Sequence, residues 1–209
     1  MLSAPPRATI PKLADLPLVI EGPRVTLRPQ RDSDAEAFFP YVSDPELPKF
    51  VSWAPHKDIA ETRAWVQDAA ELIDKGTDMV WTIEHEGAPV GCVGLHGIKW
   101  GVRAVRLDRA DLGYWIAKPF WGKGLMTEAA IAATRWAFET LGLHKVVVIC
   151  FEDNLASKRV IEKVGFRFVG RAEEDIWRDG RWFAHLKFEL TSSEWADSTR
   201  TLRFNRPRS

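Results

Sequence analysis

The stretch KPFWGKGLMTEAAI, residues 118–131, decides how the chain folds. It places Gly122 and Gly124 around a lysine, between a strand-like run and a run of helix-forming residues. A turn that enters a helix exposes unpaired backbone N–H groups beside the positive end of the helix dipole, and glycine leaves them uncovered because it has no Cβ. The stretch therefore predicts an anion site for a phosphate group, with Lys123 adding positive charge.

Two well-known phosphate motifs fit this stretch poorly. A P-loop requires four residues between its first glycine and Gly-Lys, followed by Ser or Thr, and GKGLMT at 122–127 lacks that spacing. The dinucleotide fingerprint G-x-G-x-x-G meets Thr127 where its third glycine belongs, and no series of βαβ units follows. A dinucleotide-binding oxidoreductase is therefore disfavoured. Glycines that only satisfy turn geometry remain the simpler explanation of this stretch taken by itself.

The hydrophobic pattern along the chain predicts the element order β, α, α, β, β, β, α, β, α, β, β. Three consecutive strands without intervening helices indicate an antiparallel meander. Tight hairpin turns are predicted at the pairs 86–87 and 179–180, where Gly follows Glu or Asp. Capping-box spacing at Ser33 with Glu36, and again at Asp58 with Glu61, predicts the starts of the first two helices.

Composition and charge exclude several classes of protein. Lys plus Arg equals Asp plus Glu at 29 each, so no overall field favours nucleic acid or a membrane surface. Cys92 and Cys150 have neither metal-ligand spacing nor the density of a disulfide framework, which is typical of a reducing compartment. The proline-rich lead-in, 1–17, is neither a signal peptide nor a membrane span. We expect a cytoplasmic protein without a metal, with one domain over 18–190 and an extension over 191–209.

Several linked segments, in order, resemble one family. They are RVTLRPQRDSDAEAFFPYVSD (24–44), VGCVGLHGI (90–98), LGYWIAKPFWGKGLMTEA (112–129), LGLHKVVV (141–148) and EDNLASKRVIEKVGF (152–166). Over roughly residues 20–190 the chain resembles the GCN5-related N-acetyltransferase (GNAT) superfamily, in its ribosomal-protein N-terminal acetyltransferase (RimJ/RimL-like) branch. The resemblance implies an α+β fold. Its central sheet is mixed and mostly antiparallel, with about seven strands, helices on both faces and a splayed strand pair that forms the acetyl-CoA cleft.

The resemblance also implies which residues bind acetyl-CoA. The family loop Gln/Arg-x-x-Gly-x-Gly falls on Gly122 and Gly124, with Pro119 in the Gln/Arg position, and acts through main-chain N–H groups. The N–H of Ile116 matches the donor to the acetyl carbonyl. Asn154 matches a residue that binds the pantetheine arm, with a plain helix cap as the alternative. The implied acetyl-CoA residues are Trp115, Ile116, Ala117, Trp121, Gly122, Lys123, Gly124, Leu125, Asn154 and Ser157, of which Trp121 is expected to pack.

Acetyl transfer requires a proton for the departing thiolate and a stabilised oxyanion. Many relatives carry a tyrosine acid on the helix after the loop's partner strand, and Ile161 occupies that position here. The hydroxyl of Ser157, three residues after Asn154, is the alternative acid. A serine in the first turn of a helix with no chemical role is the competing explanation.

The transfer also requires an acceptor amine that has lost its proton. The two-residue period of a strand places Asp111, Gly113 and Trp115 on one face, so that Asp111 is a candidate base acting through water. An exposed ion-paired aspartate is the alternative, and His96 and Glu84 are further candidates. The sequence leaves the base open.

The function that follows is that of an acetyl-CoA-dependent N-acetyltransferase, acting by direct attack in a ternary complex. The acceptor is a primary amine, either a protein N-terminus or a small molecule of the aminoglycoside type. A non-catalytic acyl-CoA-binding module or sensor is the alternative, because the tyrosine acid is absent and the base is open. Trp53, Trp81 and Trp100 are candidates for an aromatic wall at the acceptor side, against ordinary core packing. The edge of the closing hairpin allows a homodimer.

Overall fold

A computed structural model describes residues 9–204 as one mixed sheet with helices on both faces. Residues 1–8 of the predicted lead-in and 205–209 of the predicted extension lie outside this range. The strands are β1 (Ile20–Glu21), β2 (Thr26–Pro29), β3 (Met79–His85), β4 (Ala88–Val102), β5 (Val105–Ile116), β6 (Lys145–Phe151), β7 (Arg167–Arg178) and β8 (Arg181–Thr191). The helices are α1 (Asp34–Val42), α2 (Ile59–Lys75), α3 (Leu125–Arg135), α4 (Leu155–Val164) and α5 (Ser192–Phe204).

The strand order confirms the predicted fold class. In the described part of the chain the eight-stranded sheet runs β1-β2-β3-β4-β5-β6-β8-β7. Only β5 and β6 are parallel neighbours, and every other pair is antiparallel. The one strand more than predicted is the two-residue β1, which pairs with β2. β7 forms an outer edge of the sheet, where a second chain could pair. A homodimer through the closing hairpin stays a prediction.

The parallel pair separates halfway along its length. β5 and β6 are paired only at Arg109 with Lys145, Ala110 with Val146 and Asp111 with Val147. Beyond these pairs β5 continues to residue 116 and β6 to residue 151 without pairing to each other. The predicted splayed strand pair is therefore confirmed. The divergence also explains why Ile149, in the apolar strand β6, is 48% exposed.

The two faces of the sheet carry different helices. On one face Trp115 and Cys92 share a buried cluster with Phe38 of α1 and Val66 of α2, and we call this the α1/α2 face. On the other, the α3/α4 face, Ile116 is buried with residues of α3 and α4 in the larger cluster. Neighbouring residues of β5 therefore serve opposite sides of the protein, as the two-residue period of a strand requires.

One predicted helix cap is confirmed and the other is wrong. Asp58 accepts the N–H groups of Ala60 and Glu61 at 2.8 and 3.1 Å and begins α2. Ser33 already has helical backbone angles and makes no side-chain capping bond, while Glu36 pairs with Arg63 instead. The predicted hairpin turns are confirmed, because both have consecutive positive φ values: 51° and 78° at residues 86 and 87, 48° and 79° at residues 179 and 180.

A buried ion pair replaces the missing serine cap. Arg28 in β2 donates from Nη1 and Nη2 to the two carboxylate oxygens of Asp34, each at 2.8 Å. Asp34 also accepts the Thr82 hydroxyl at 2.7 Å and the Arg31 N–H at 3.0 Å. Glu84, a candidate base, is bonded to Arg28 Nε at 2.7 Å and is therefore part of this network. The network attaches the first turn of α1 to the sheet.

The core extends beyond the predicted domain limits at both ends. Leu13, within the predicted lead-in, is 2% exposed. The indole N–H groups of Trp81 and Trp136 donate to the Leu18 and Pro17 carbonyls, each at 2.7 Å. Trp195 of α5 is buried in the larger cluster. Trp81 is fully buried and therefore belongs to the core, which is the alternative that the sequence left open to an acceptor wall.

Candidate active site

The glycine loop before α3 has the backbone that its sequence predicts. Gly122 and Gly124 have φ values of 73° and 78°, in the left-handed region that glycine favours. A Cβ added at Gly122 meets nothing within 4 Å, so backbone conformation rather than crowding requires glycine there. Gly124 is the N-cap of α3 and makes no side-chain capping bond, so the first turn of α3 keeps its N–H groups for another acceptor.

Trp121 makes hydrogen bonds within the chain and is half exposed, whereas the sequence predicted that its side chain packs. Its backbone N–H donates to the Lys118 carbonyl at 3.1 Å, so this group is already used within the chain. Its indole N–H donates to the Ile116 carbonyl at 2.7 Å, and the side chain is half exposed rather than packed in the core. Of the N–H groups in the predicted loop, 121–125, that of residue 121 is therefore already used within the chain.

A salt bridge that the sequence did not reveal braces the loop. Glu128 in α3 accepts the backbone N–H and the Nε of Arg24 at 2.7 and 2.9 Å, and the N–H of Val25 at 3.2 Å. Arg24 Nη1 donates to the Lys123 carbonyl at 2.9 Å. Burial alone raises the pKa of Glu128, but these hydrogen bonds and the Arg24 charge together lower it. The pair joins the start of β2 to both the loop and α3.

The ladder between β4 and β5 directs alternate N–H groups into the splay. Ala117 N–H donates to the Val90 carbonyl at 2.9 Å, so residues 117 and 115 bond toward β4. By the same alternation the N–H groups of Tyr114 and Ile116 point away from β4, toward the gap beside β6. Of the three residues predicted around the acetyl carbonyl, only Ile116 therefore offers its N–H to the cleft.

Two hydroxyl groups meet on the α3/α4 face of the cleft. The Tyr114 hydroxyl lies 2.9 Å from Ser157 Oγ, and it donates to the Ser157 carbonyl at 3.3 Å. Burial raises the pKa of Tyr114 well above its usual value, against the smaller opposite effect of the bond to Ser157. The phenol is therefore protonated at neutral pH. Tyr114 was missed by sequence analysis, and its phenol lies on β5, whereas the family's tyrosine position on α4 holds Ile161.

Asn154 begins α4 as a helix cap. Its side-chain oxygen accepts the Ser157 N–H at 3.0 Å, which confirms the capping explanation. The cap fixes the first turn of α4, and so fixes Ser157 opposite Tyr114. A contact of Asn154 with a ligand stays a prediction.

Asp111 and His96 lie opposite each other on β5 and β4, at the start of the splay. Desolvation raises the pKa of the Asp111 carboxyl, and the charges of Arg109 and His96 oppose the rise. His96 Nδ1 lies 3.1 Å from an oxygen of Asp78, so the imidazole is held by a carboxylate. The structure thus brings two of the candidate bases together and sets Glu84 apart.

An aromatic cluster covers the α1/α2 face beside Trp115. Trp115 contacts the rings of Phe38, Trp53 and Trp65, with centroids 5.2 to 6.3 Å apart. Trp53 packs in this cluster, and its place in an acceptor wall stays a prediction, whereas Trp100 packs against the larger core. Next to this cluster a cavity of about 320 Å³ is lined by Tyr41, Asp44, Leu47, Lys118 and Pro119.

No helix within 9–204 combines the length and apolar character needed to cross a bilayer. Over the same range, three or more His, Cys, Asp or Glu side chains do not come together in an arrangement that holds a metal ion. Both cysteines are free and buried, and burial raises the pKa of the Cys150 thiol to about 11.

A sheet with one splayed parallel pair, leading into a glycine loop at a helix N-terminus, defines a class of acyl-transfer enzymes. The chain belongs to the acetyltransferase (GNAT) domain family, whose model matches residues 24–167. It is an N-acetyltransferase related to the ribosomal-protein N-acetyltransferases, as the sequence predicted.

Individual relatives give the same family. The chain is 28% identical to the uncharacterized N-acetyltransferase YoaA of Bacillus subtilis over 164 residues, 78% of this chain and 90% of the relative. It is 34% identical to the ribosomal protein uS5-alanine N-acetyltransferase of Escherichia coli over 84 residues, 40% of this chain and 43% of the relative. A RimL ribosomal L7/L12 alpha-N-protein acetyltransferase, solved with coenzyme A, superposes with a TM-score of 0.75 at 21% identity, over 84% of this chain and 99% of that chain.

Proposed function

We propose that this enzyme moves an acetyl group from acetyl-CoA to a primary amine by direct attack in a ternary complex. The observation that carries the proposal is the unpaired part of β5 and β6, which leads directly into the positive-φ glycine loop. Inward N–H groups along β5 suit an extended amide-bearing arm, and the N–H groups of the loop suit a pyrophosphate. Acetyl-CoA presents both groups in that order.

The chain's own atoms suggest how this donor is held. The N–H groups of residues 122–125, together with the Lys123 side chain, bind the pyrophosphate. The Ile116 N–H binds the thioester carbonyl oxygen and stabilises the charge that develops there. The Trp121 indole N–H donates to the carbonyl of Ile116, which belongs to the next peptide, and so restrains the strand at this residue. Trp115 and Ala117 are the buried neighbours of Ile116 in the chain, and Asn154 lies at the opposite wall.

The leaving thiolate receives its proton from the hydroxyl pair. Ser157 Oγ donates to sulfur, Tyr114 replaces that proton through the 2.9 Å contact, and solvent returns a proton to Tyr114 after the product has left. A thiolate is a poor leaving group unless it is protonated or otherwise stabilised as the C–S bond breaks. Because the Tyr114 phenol is protonated at neutral pH, the pair starts each cycle with a proton to give.

Ser157→Ala and Tyr114→Phe are each expected to lower kcat by about 10²-fold, the usual contribution of a positioned acid. The dissociation constant of acetyl-CoA, measured by calorimetry, is expected to change little. Ser198→Ala is the matched control, because the Ser198 hydroxyl also donates to a backbone carbonyl, that of Trp195 in α5. A kcat that survives both active-site substitutions would remove the hydroxyl pair from the mechanism.

The acceptor side is the α1/α2 face, and we propose that a protein N-terminus enters there. Trp53, Phe50 and Ile149 give this side of the cleft an open apolar wall, and Phe50 and Ile149 are 41% and 48% exposed. An extended peptide fits an open wall, whereas a small polar amine is bound better in an enclosed pocket. Asp111 attracts the incoming ammonium group.

The test is release of free thiol from acetyl-CoA with a panel of N-terminal peptides, aminoglycosides and polyamines, with mass detection of the product. Acetylated peptide α-amine as the main product supports the proposal. Acetylation of an aminoglycoside or a polyamine alone would replace the proposed acceptor while keeping the reaction. Binding of acetyl-CoA without any product would favour a sensor.

Arg24→Ala is expected to raise the KM for acetyl-CoA by about 10-fold, since it frees the loop from its brace and removes a nearby positive charge. Arg63→Ala is the control, because Arg63 makes a comparable exposed salt bridge with Glu36 away from the loop. Steady-state kinetics with acetyl-CoA varied give the answer. Equal KM values for the two variants would show that the brace has no part in binding.

A further inference from the structure

The side chain of His96 lies flat on the sheet over two glycines. His96 is paired with Asp111, and its ring reaches along β4 to the next pair toward the splay, Gly94 with Gly113. A Cβ added at Gly94 would lie 2.9 Å from Nε2, and one at Gly113 would lie 3.0 Å from Cδ2. Real Cβ atoms essentially never show the first distance, and the second is tighter than nine in ten real Cβ contacts. The glycine pair therefore makes the space in which the imidazole lies.

The carboxylate of Asp78 fixes the orientation of this ring. Asp78 Oδ1 lies 3.1 Å from His96 Nδ1 and also accepts the Gly97 N–H at 3.3 Å. Its side chain is only 16% exposed, while that of His96 is 46% exposed. A carboxylate at Nδ1 places the proton of a neutral imidazole there. The lone pair is then on Nε2, the nitrogen that lies over the glycines.

The position of Nε2 relative to the splay decides what this arrangement can do. The last pair between β5 and β6 is Asp111 with Val147, so Gly113 is the second residue of the separated part. Nε2 therefore lies over Gly113, where the cleft opens, on the α1/α2 face. The hydroxyl pair of Tyr114 and Ser157 lies on the opposite face. A proton acceptor and a proton donor thus stand on the two sides of the same gap.

We propose that His96 is the general base of the transfer, and that Asp78 is its positioning residue. The proposal rests on the proposed function. An ammonium proton of the acceptor passes through ordered water to Nε2, and the freed nitrogen lone pair attacks the thioester carbonyl carbon. As the C–N bond forms, the C–S bond breaks, its electron pair goes to sulfur, and the hydroxyl pair protonates the thiolate. His96 then returns its proton to solvent through its exposed edge.

The charges around the pair of Asp111 and His96 are mixed. Acidic groups both hold the ring and attract the acceptor, while basic groups on three strands offset them. The groups are Asp78 before β3, Lys99 on β4, Asp111 and Arg109 on β5, and Lys187 on β8.

The kinetic test compares His96→Gln and Asp78→Asn with the unsubstituted enzyme over about pH 5 to 9, the range in which a histidine charge changes. We expect kcat/KM at neutral pH to fall by about 10²-fold in His96→Gln, with loss of the acidic limb of the pH profile. The acetyl-CoA dissociation constant should stay within about twofold, since Nε2 faces the acceptor. Asp78→Asn should keep the acidic limb of the profile but shift it along the pH axis.

His185→Gln is the matched comparison, because His185 Nδ1 lies 3.0 Å from Asp175 in a similar pair. The proposal is overturned if His96→Gln keeps the acidic limb, or if His185→Gln is the variant that loses it. An experiment independent of turnover is the ¹⁵N spectrum of the imidazoles, assigned with the His96 variant. A neutral His96 with its proton on Nε2 would contradict the role of His96 as a base, even if no acceptor is found. Failure of acetyl-CoA to bind would instead contradict the proposed function.

Discussion

Replacing Gly122 and Gly124 together by alanine is expected to raise the KM for acetyl-CoA by about 10²-fold. Both residues have φ above 70°, where an L-residue costs about 1–2 kcal/mol, and about 1.4 kcal/mol corresponds to a tenfold change in affinity. The altered loop relaxes away from the geometry that directs its N–H groups at a pyrophosphate. Steady-state kinetics and calorimetry with acetyl-CoA measure the change.

The control is the double substitution of Gly87 and Gly180 by alanine. These glycines have φ values of 78° and 79° and, as at Gly122, a Cβ meets nothing within 4 Å. The backbone strain is the same, but both lie in hairpin turns away from the loop. If the control raises the KM as much as the loop variant does, a general loss of stability explains both, and the loop has no special part in binding.

Asp34→Ala is expected to lower the free energy of unfolding by about 3–5 kcal/mol, because it leaves the Arg28 guanidinium buried without its main partner. Denaturant titration followed by tryptophan fluorescence measures the loss. Glu36→Ala is the control, since the Glu36–Arg63 pair is exposed and its loss should change stability little. Equal losses in the two variants would show that burial of the Arg28–Asp34 pair has no special weight.

The pKa of the Asp34 carboxyl also determines how the stability of the protein depends on pH. Burial alone raises the pKa of Asp34, but hydrogen bonds from Arg28, Thr82 and the Arg31 N–H outweigh it and lower the pKa below its usual value. A depressed pKa gives stability that is present above the unfolded value, about 3.9, and is lost as pH falls through the folded value. Asp34→Asn should remove this dependence, so the difference between the two proteins should shrink below about pH 4.

Sequence analysis predicted the glycine loop because its requirement is local. Positive φ at residues 122 and 124 limits the residue type whatever the rest of the fold does, and the helix that follows is visible in the apolar spacing. The same holds for the two hairpin turns and for the Asp58 cap, where donor and acceptor are at most three residues apart.

Most of the features that sequence analysis missed depend on contacts between residues far apart in the chain. Tyr114 meets Ser157 across 43 residues, and Arg24 meets Glu128 across 104. Ser33 had the right spacing for a cap, but the buried pair of Arg28 with Asp34 decides how α1 begins. The Asp78–His96 contact had no signal in the sequence, because 18 residues separate the partners and both are common on surfaces.

The separation of β5 from β6 leaves an edge inside the sheet. Exposed edges normally lie at the outside of a sheet, where an extended chain can add to them. Here three residue pairs join the β1–β5 part to the β6–β8 part, and the N–H groups of Tyr114 and Ile116 beyond them have no strand beside them in the described chain. On the proposed function, the substrate lies in the place of the absent strand. The central sheet is then complete only during the reaction, and hydrogen exchange at these two amides reports the time that the enzyme spends loaded.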